Sequence, residues 1–219
     1  DVCSSDLVYV SDLGKLDIRD IEEQDGYLWL ATFGSGLIKY NPSDGSAVYY
    51  NSDNINNLDT NIFFTIEILD DASILLGTRY NGLKIFDPKN ETVETYSEND
   101  GLSNNTINSL LLQQKQFVWI GTYTGIDRFD LKNKVFKNFT ALRNVQNEGI
   151  GPIASTIDGK VFVGGLKGLQ VIDVSELERL KDDQNIVFKQ LNVLNKVITP
   201  EENSVLKKAI TYQDALELE

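Results

Sequence analysis

The sequence predicts an all-β repeat chain, and three observations carry that prediction. One phrase returns four times: Tyr27-Leu-Trp-Leu-Ala-Thr-Phe-Gly-Ser-Gly-Leu37, Ser73-Ile-Leu-Leu-Gly-Thr-Arg-Tyr-Asn-Gly-Leu83, Phe117-Val-Trp-Ile-Gly-Thr-Tyr-Thr-Gly-Ile126 and Lys160-Val-Phe-Val-Gly-Gly-Leu-Lys-Gly-Leu169. Its equivalent positions Trp29, Leu75, Trp119 and Phe162 recur every 43–46 residues. Between them, apolar and polar residues alternate with the period of two that half-buried strands require. Turn dipeptides such as Asp25-Gly26, Asp87-Pro88 and Asp158-Gly159 punctuate the alternation. Periods of this length mark propeller blades, each a small sheet that buries its faces only against a neighbour. The predicted fold is a partial β-propeller of about four blades, each a four-stranded antiparallel sheet, followed by the truncated start of a second β domain.

The elements follow in order. Residues 1–7 fit no strand; they match the translation of GAC GTG TGC TCT TCC GAT CT, which resembles a common sequencing adapter, and are expected to be an artefact. Residues 8–14, with Val8-Tyr-Val10, are read as the end of a preceding blade, so blades are expected upstream. Blade one runs Leu16–Ile21, Tyr27–Thr32, Leu37–Tyr40 and Ala47–Tyr50. Blade two runs Phe63–Leu69, Ile74–Thr78, Leu83–Phe86 and Thr92–Tyr96. Blade three runs Ile107–Leu112, Phe117–Thr122, Ile126–Phe129 and Val135–Phe139. Blade four begins with Ile153–Ile157, Val161–Val163 and Leu169–Ile172, then gives way to the polar stretch Glu176–Asp183, read as a short helix. The propeller is assigned to 15–184 and the second domain to 185–219, where Ile186–Ile198 alternates like a strand. Cut at both ends, the chain is expected to expose sheet faces and to aggregate when made alone.

Composition excludes several chemistries. The chain of 219 residues contains no histidine and one cysteine, Cys3, inside the suspected artefact. Ser-His-Asp catalysis, histidine-ligated zinc and a phosphorylatable histidine are therefore absent from it. No phosphate-binding glycine loop appears, and Asp70-Asp71 and Asp182-Asp183 lack the spacing of a calcium loop. No catalytic residue, cofactor or metal is expected. A net charge of −13 argues against nucleic acid.

Topology alone narrows where a ligand would sit. In a four-stranded meander, successive turns alternate between the two ends of a blade. The second turn of each blade and the linker to the next blade share one face, and the Asp-Gly turns lie on the other. The first face carries Phe33-Gly-Ser35, Arg79-Tyr80-Asn81, Tyr123-Thr124 and Leu166-Lys167. Aromatic rings there suit stacking on sugars, and planar polar groups suit hydroxyls. Candidate ligand-binding residues are therefore Arg79, Tyr80, Asn81, Phe33, Tyr123 and Lys167, with the Arg-Tyr pair unique to the second repeat. The competing reading is that these aromatics merely pack between blades. Trp29 and Trp119, in mid-strand, are assigned to the core.

The stretches Asp25-Gly-Tyr-Leu-Trp-Leu-Ala-Thr32…Gly36-Leu37…Tyr40-Asn-Pro42, Leu76-Gly-Thr78…Gly82-Leu83…Phe86-Asp-Pro88 and Trp119-Ile-Gly-Thr122…Gly125-Ile126…Phe129-Asp130 resemble the two-component regulator propeller repeat. Phe188–Ile198 and Leu206–Tyr212 are similar to the start of the triple-tyrosine domain that follows such propellers. The resemblance implies a periplasmic sensor region of a membrane-anchored regulator, often a hybrid histidine kinase. It further implies an oligosaccharide ligand, a dimeric parent, control of polysaccharide-use genes and a sandwich-like second domain. A non-catalytic scaffold for dimerisation or protein interaction is the alternative. A propeller lyase is the third reading, disfavoured because no carboxylate pair repeats on the ligand face. The sequence departs from the pattern at Ser73-Ile-Leu-Leu, without its aromatic, and at Gly164-Gly165, where threonine is replaced; both are read as drift in a packing motif.

Overall fold

The computed structural model describes residues 13–139, 150–166, 168–174, 191–193 and 196–198. The chain divides into two compact units, Asp1–Val174 and Ser175–Glu219. The expectations for residues 1–7, for Val8–Val10, for the 176–183 helix and for 199–219 fall outside the described residues.

The first unit is all-β. Blade one is the antiparallel meander β1 (Ile18–Gln24), β2 (Tyr27–Thr32), β3 (Leu37–Tyr40) and β4 (Ala47–Tyr50). Blade two is β5 (Phe63–Ile68), β6 (Ile74–Thr78), β7 (Leu83–Asp87) and β8 (Thr92–Tyr96). Blade three is β9 (Ile107–Gln113), β10 (Phe117–Thr122), β11 (Ile126–Asp130) and β12 (Val135–Asn138), and blade four shows β13 (Ile150–Ser155), β14 (Lys160–Gly165) and β15 (Gly168–Asp173). The first strands of successive blades lie side by side, β1 against β5, β5 against β9 and β9 against β13. This is the partial propeller the repeats predict. In the second unit, β16 (Leu191–Val193) and β17 (Lys196–Ile198) form an antiparallel hairpin.

Strand boundaries shift by one to three residues from the sequence reading, most at the first strands of blades one and four. The first strand starts at Ile18 and runs through Gln24, which pairs with Tyr27 across the Asp25-Gly26 turn. Both turn residues have positive φ, 52° and 80°, so this tight turn permits pairing up to its edge. In blade four the strand ends at Ser155, two residues before Ile157. There the Thr156 hydroxyl bonds the Asp158 carboxylate, and Gly159 N–H donates to Thr156 O, closing a turn that leaves Ile157 in solvent.

Alternation decides which blade each side chain meets. On β6, Ile74 and Leu76 face blade one, in a core with Trp29, Ala31, Leu37, Phe63, Ile66 and Phe86. Leu75, between them, faces blade three with Leu83, Ile107, Val118, Ile120 and Phe129. Aromatic residues at the ends of the outer strands bridge the blades: Tyr50 packs on Trp29 and on Phe86, and Tyr96 on Phe129. A cation rides beside two aromatics at matching places: Lys39 over Tyr27 and Trp29, Arg128 over Phe117 and Trp119. Both tryptophans are core, 2% and 0% exposed, as expected. Trp119 Nε1 donates to Gln113 Oε1 at 2.9 Å, whereas Trp29 Nε1 has no protein partner.

Carboxylates stitch the inner strands together. Asp20 on β1 accepts from Ile66 N–H on β5, and Glu67 on β5 accepts from Leu112 N–H on β9. Burial pushes the Glu67 carboxyl above the usual carboxylate range, and its bond from Leu112 draws it back.

Candidate functional site

The face carrying the second turns is built on a threonine that each of the first three repeats places at the end of its second strand. Thr32, Thr78 and Thr122 are fully buried. Each hydroxyl donates to a glycine carbonyl across the turn: Gly36 at 2.6 Å, Gly82 at 2.8 Å and Gly125 at 2.9 Å. Each also accepts a turn N–H, from Ser35, Asn81 and Gly125 respectively. Buried polar groups must be paired; the hydroxyl pairs a turn N–H and adds a second bond to a glycine carbonyl that already accepts the threonine's own N–H. The threonine is therefore a turn clamp, and Gly165 in the fourth repeat has no hydroxyl to make it. Reading this position as drift in a packing motif missed its hydrogen-bonding role.

The turns are then tied to the linkers. Gly34 and Gly36 N–H both donate to Asn61 O, Gly82 N–H to Asn105 O, and Tyr123 N–H to Thr106 O. Turn and linker share a face, as the meander topology predicts. The glycine after the turn is required by contact as well as by conformation. At Gly82, with φ of 74°, a Cβ would stand 2.1 Å from Tyr96 O.

Two buried charges anchor the same linkers. Lys84, with no exposed side-chain surface, pairs with linker Asp59 at 2.7 Å and donates to Thr95 Oγ1 at 3.0 Å. At the matching place in blade three, Asp127 accepts from Ser103 N–H and Oγ of the next linker and from Asn138 Nδ2. Burial raises the Asp127 carboxyl above the usual carboxylate range, opposed by those three donors.

On this platform the structure brings three of the candidate residues together. The Arg79 guanidinium lies 5.4 Å from the Phe33 ring centre and 4.9 Å from that of Tyr80. Thr106 joins the neighbouring turn, its hydroxyl donating to Arg79 O while its carbonyl accepts from Tyr123 N–H. Asn81 is half-buried and its N–H is spent on the Thr78 clamp. Lys167 is outside the described residues. The packing reading holds for Phe33, which is half-buried and stacked on Phe64 of the next blade at 6.1 Å between centres. It fails for Tyr80 and Tyr123, 64% and 61% exposed.

Sequence reasoning missed Arg19 and Phe64. Arg19 lies 4.9 Å from the Phe33 ring centre and 5.9 Å from that of Phe64, and it pairs with Asp17 at 2.8 Å. The signal was available for Arg19. The first strand pairs Ile18 with Thr32, so the start of β1 must lie beside the second turn. Phe64 needed a contact between blades, which no local pattern gives.

A groove of about 630 Å³ opens at the opposite end of blades two and three, among the first and third turns. Two ion pairs line it, Lys115 with Asp70 at 2.9 Å and Lys134 with Glu94 at 3.2 Å. Among the described residues no group of three or more metal-ligating acids, cysteines or histidines is found, and no helix is long and apolar enough to cross a membrane.

No family model matches the chain. A curated relative, histidine kinase P4 of Formosa agariphila, is 25% identical over 168 residues, covering 72% of this chain and 12% of that protein. Among solved structures, the extracellular domain of the assigned one-component system BT4673 from B. thetaiotaomicron is 28% identical with a TM-score of 0.62, covering 72% of this chain and 21% of that one. The extracellular domain of the assigned hybrid two-component system BT3049 from the same organism is 20% identical with a TM-score of 0.63, covering 80% of this chain and 24% of that one; this likeness bears on the fold alone. The chain thus spans less than a quarter of each of these three relatives. Over its blades, it is similar to the extracellular domains of bacterial one- and two-component regulators.

Proposed function

We propose that this chain is a ligand-sensing part of the extracytoplasmic region of a membrane-anchored two-component regulator, in the periplasm, and that it binds an oligosaccharide on the second-turn face. The parent protein would be a dimeric hybrid histidine kinase that controls genes for polysaccharide use. One observation supports the ligand reading above the others: Tyr80 and Tyr123 are exposed aromatics on the second turns of adjacent blades, above backbone that the threonine clamps fix. Exposed rings carried on a backbone held in place offer stacking surface to sugar rings. The likeness to a histidine kinase and to the extracellular domains of one- and two-component systems supports the sensor reading. The apolar face of blade one, a groove of about 510 Å³ lined by Leu13, Leu16, Leu28, Leu30 and Tyr40, favours the scaffold reading instead.

The test is an oligosaccharide array probed with the chain, followed by calorimetry on any hit. Tyr80→Ala and Tyr123→Ala are each expected to weaken binding about tenfold, the effect of losing roughly 1.4 kcal/mol of stacking contact. Absence of saccharide binding across the array, alongside self-association through blade one, would favour the scaffold.

A further inference from the structure

Two guanidinium groups converge on one ring at the gap between blades one and two. Arg19 reaches Phe33 from the first strand of blade one, at 4.9 Å, and Arg79 reaches it from the second turn of blade two, at 5.4 Å. Like charges gathered at one ring repel each other, and nothing in the core requires both to be there. The chain as a whole is rich in carboxylates, 33 Asp and Glu against 20 Lys and Arg. Arg19 has taken one of them, Asp17. Arg79 has none among the described residues: its guanidinium contacts are the Phe33 and Tyr80 rings.

The chemistry of that arrangement is selective. A guanidinium stacked on a ring uses its flat face there, and its N–H donors lie around the edge in a rigid fork. That fork matches two oxygens of one anionic group, through charge-assisted bonds about twice as strong as neutral ones. A sugar hydroxyl offers one oxygen and no charge, so it uses only part of what is presented. The neighbouring Phe33–Phe64 stack and exposed Tyr80 supply apolar surface beside the cations, which a free inorganic anion would leave unused.

We infer that Arg19 and Arg79, gathered on Phe33, recognise an anionic substituent of a sugar, a carboxylate or a sulfate ester, while Tyr80 stacks on the ring that bears it. This deepens the saccharide-binding reading and rests on it. The surrounding protein is acidic, so its bulk charge repels polyanions at a distance while the two arginines attract the anion at close range, and added salt screens both.

The experiment compares four probes on the chain by calorimetry, beside an array of neutral and acidic oligosaccharides: tetragalacturonate, its methyl ester, a sulfated κ-carrageenan tetrasaccharide and its desulfated form. The proposal expects an acidic sugar to bind at least tenfold more tightly than its neutralised counterpart. The two probe pairs tell a carboxylate from a sulfate. Arg79→Gln is expected to remove most of that preference and Arg19→Gln part of it, with thermal unfolding unchanged because both side chains are partly in solvent. If neutral sugars alone bind, and neither arginine variant alters their affinity, the anionic assignment is overturned and the saccharide reading stands. If no saccharide on the array binds, both are overturned.

Discussion

The two ends of the blades are made from the same strands yet treat their polar groups in opposite ways. At the first and third turns, side chains close on their own backbone. Asp87 accepts from Lys89 and Asn90 N–H and from Asn90 Nδ2, and Asp130 repeats this with Lys132 and Asn133. Those bonds hold both carboxyls below the usual carboxylate range, with the asparagine side chain the largest cause. At the second turns the backbone is satisfied from beneath, by Thr32, Thr78 and Thr122, so the residues above are free to differ from blade to blade. They do differ, as Phe33, Arg79-Tyr80 and Tyr123. A repeat fold thus separates a constant support from a variable surface, and the variable surface is where recognition is expected.

Breaking the support should cost most. Gly82→Ala forces a Cβ into Tyr96 O at a positive φ, and we expect about 4 kcal/mol of destabilisation in urea melts, from left-handed strain plus overpacking. A loss under about 1 kcal/mol would mean that the turn shifts freely. Next comes an asymmetry at the buried ion pair. Asp59→Ala strands the buried Lys84 charge and is expected to cost about 3 kcal/mol, whereas Lys84→Met, leaving only a half-exposed carboxylate, should cost within about 1 kcal/mol. Equal effects would argue that Lys84 is hydrated. Thr78→Val keeps the shape and removes both clamp bonds, for about 2 kcal/mol. Tyr80→Ala, above the clamp, should leave stability within about 0.5 kcal/mol while weakening saccharide binding. Asp87→Ala, at the other end, should change stability less than any clamp variant and leave binding untouched. Its turn bonds, present above the unfolded aspartate pKa, should be lost as pH falls through the lowered folded value.

Much of this fold is legible locally. The period of two, with Asp25-Gly26 and Asp87-Pro88 as punctuation, places twelve strands of the first three blades within a few residues of where they lie. The second-turn face is legible too, because meander topology fixes it without any side-chain contact. What escapes is everything carried across a blade gap. Lys84 reads as an ordinary strand lysine until Asp59, from the linker before it, is seen beside it. Asp127 looks like a surface residue until Ser103 and Asn138 surround it. Phe64 pairs with a ring thirty-odd residues earlier in sequence. The threonine clamp is visible as a repeated residue, yet its purpose depends on a turn geometry that spacing does not specify.

The most direct measurement is backbone amide exchange across the chain, with and without a saturating oligosaccharide taken from the array. Protection gained at 33–36, 79–82 and 123–125, with the turns at 87–90 and 130–133 unchanged, is the result predicted for a ligand seated on the second-turn face. Protection confined to the first and third turns, around Asp70, Lys115 and Lys132, would contradict it and move the site to the opposite end of the blades.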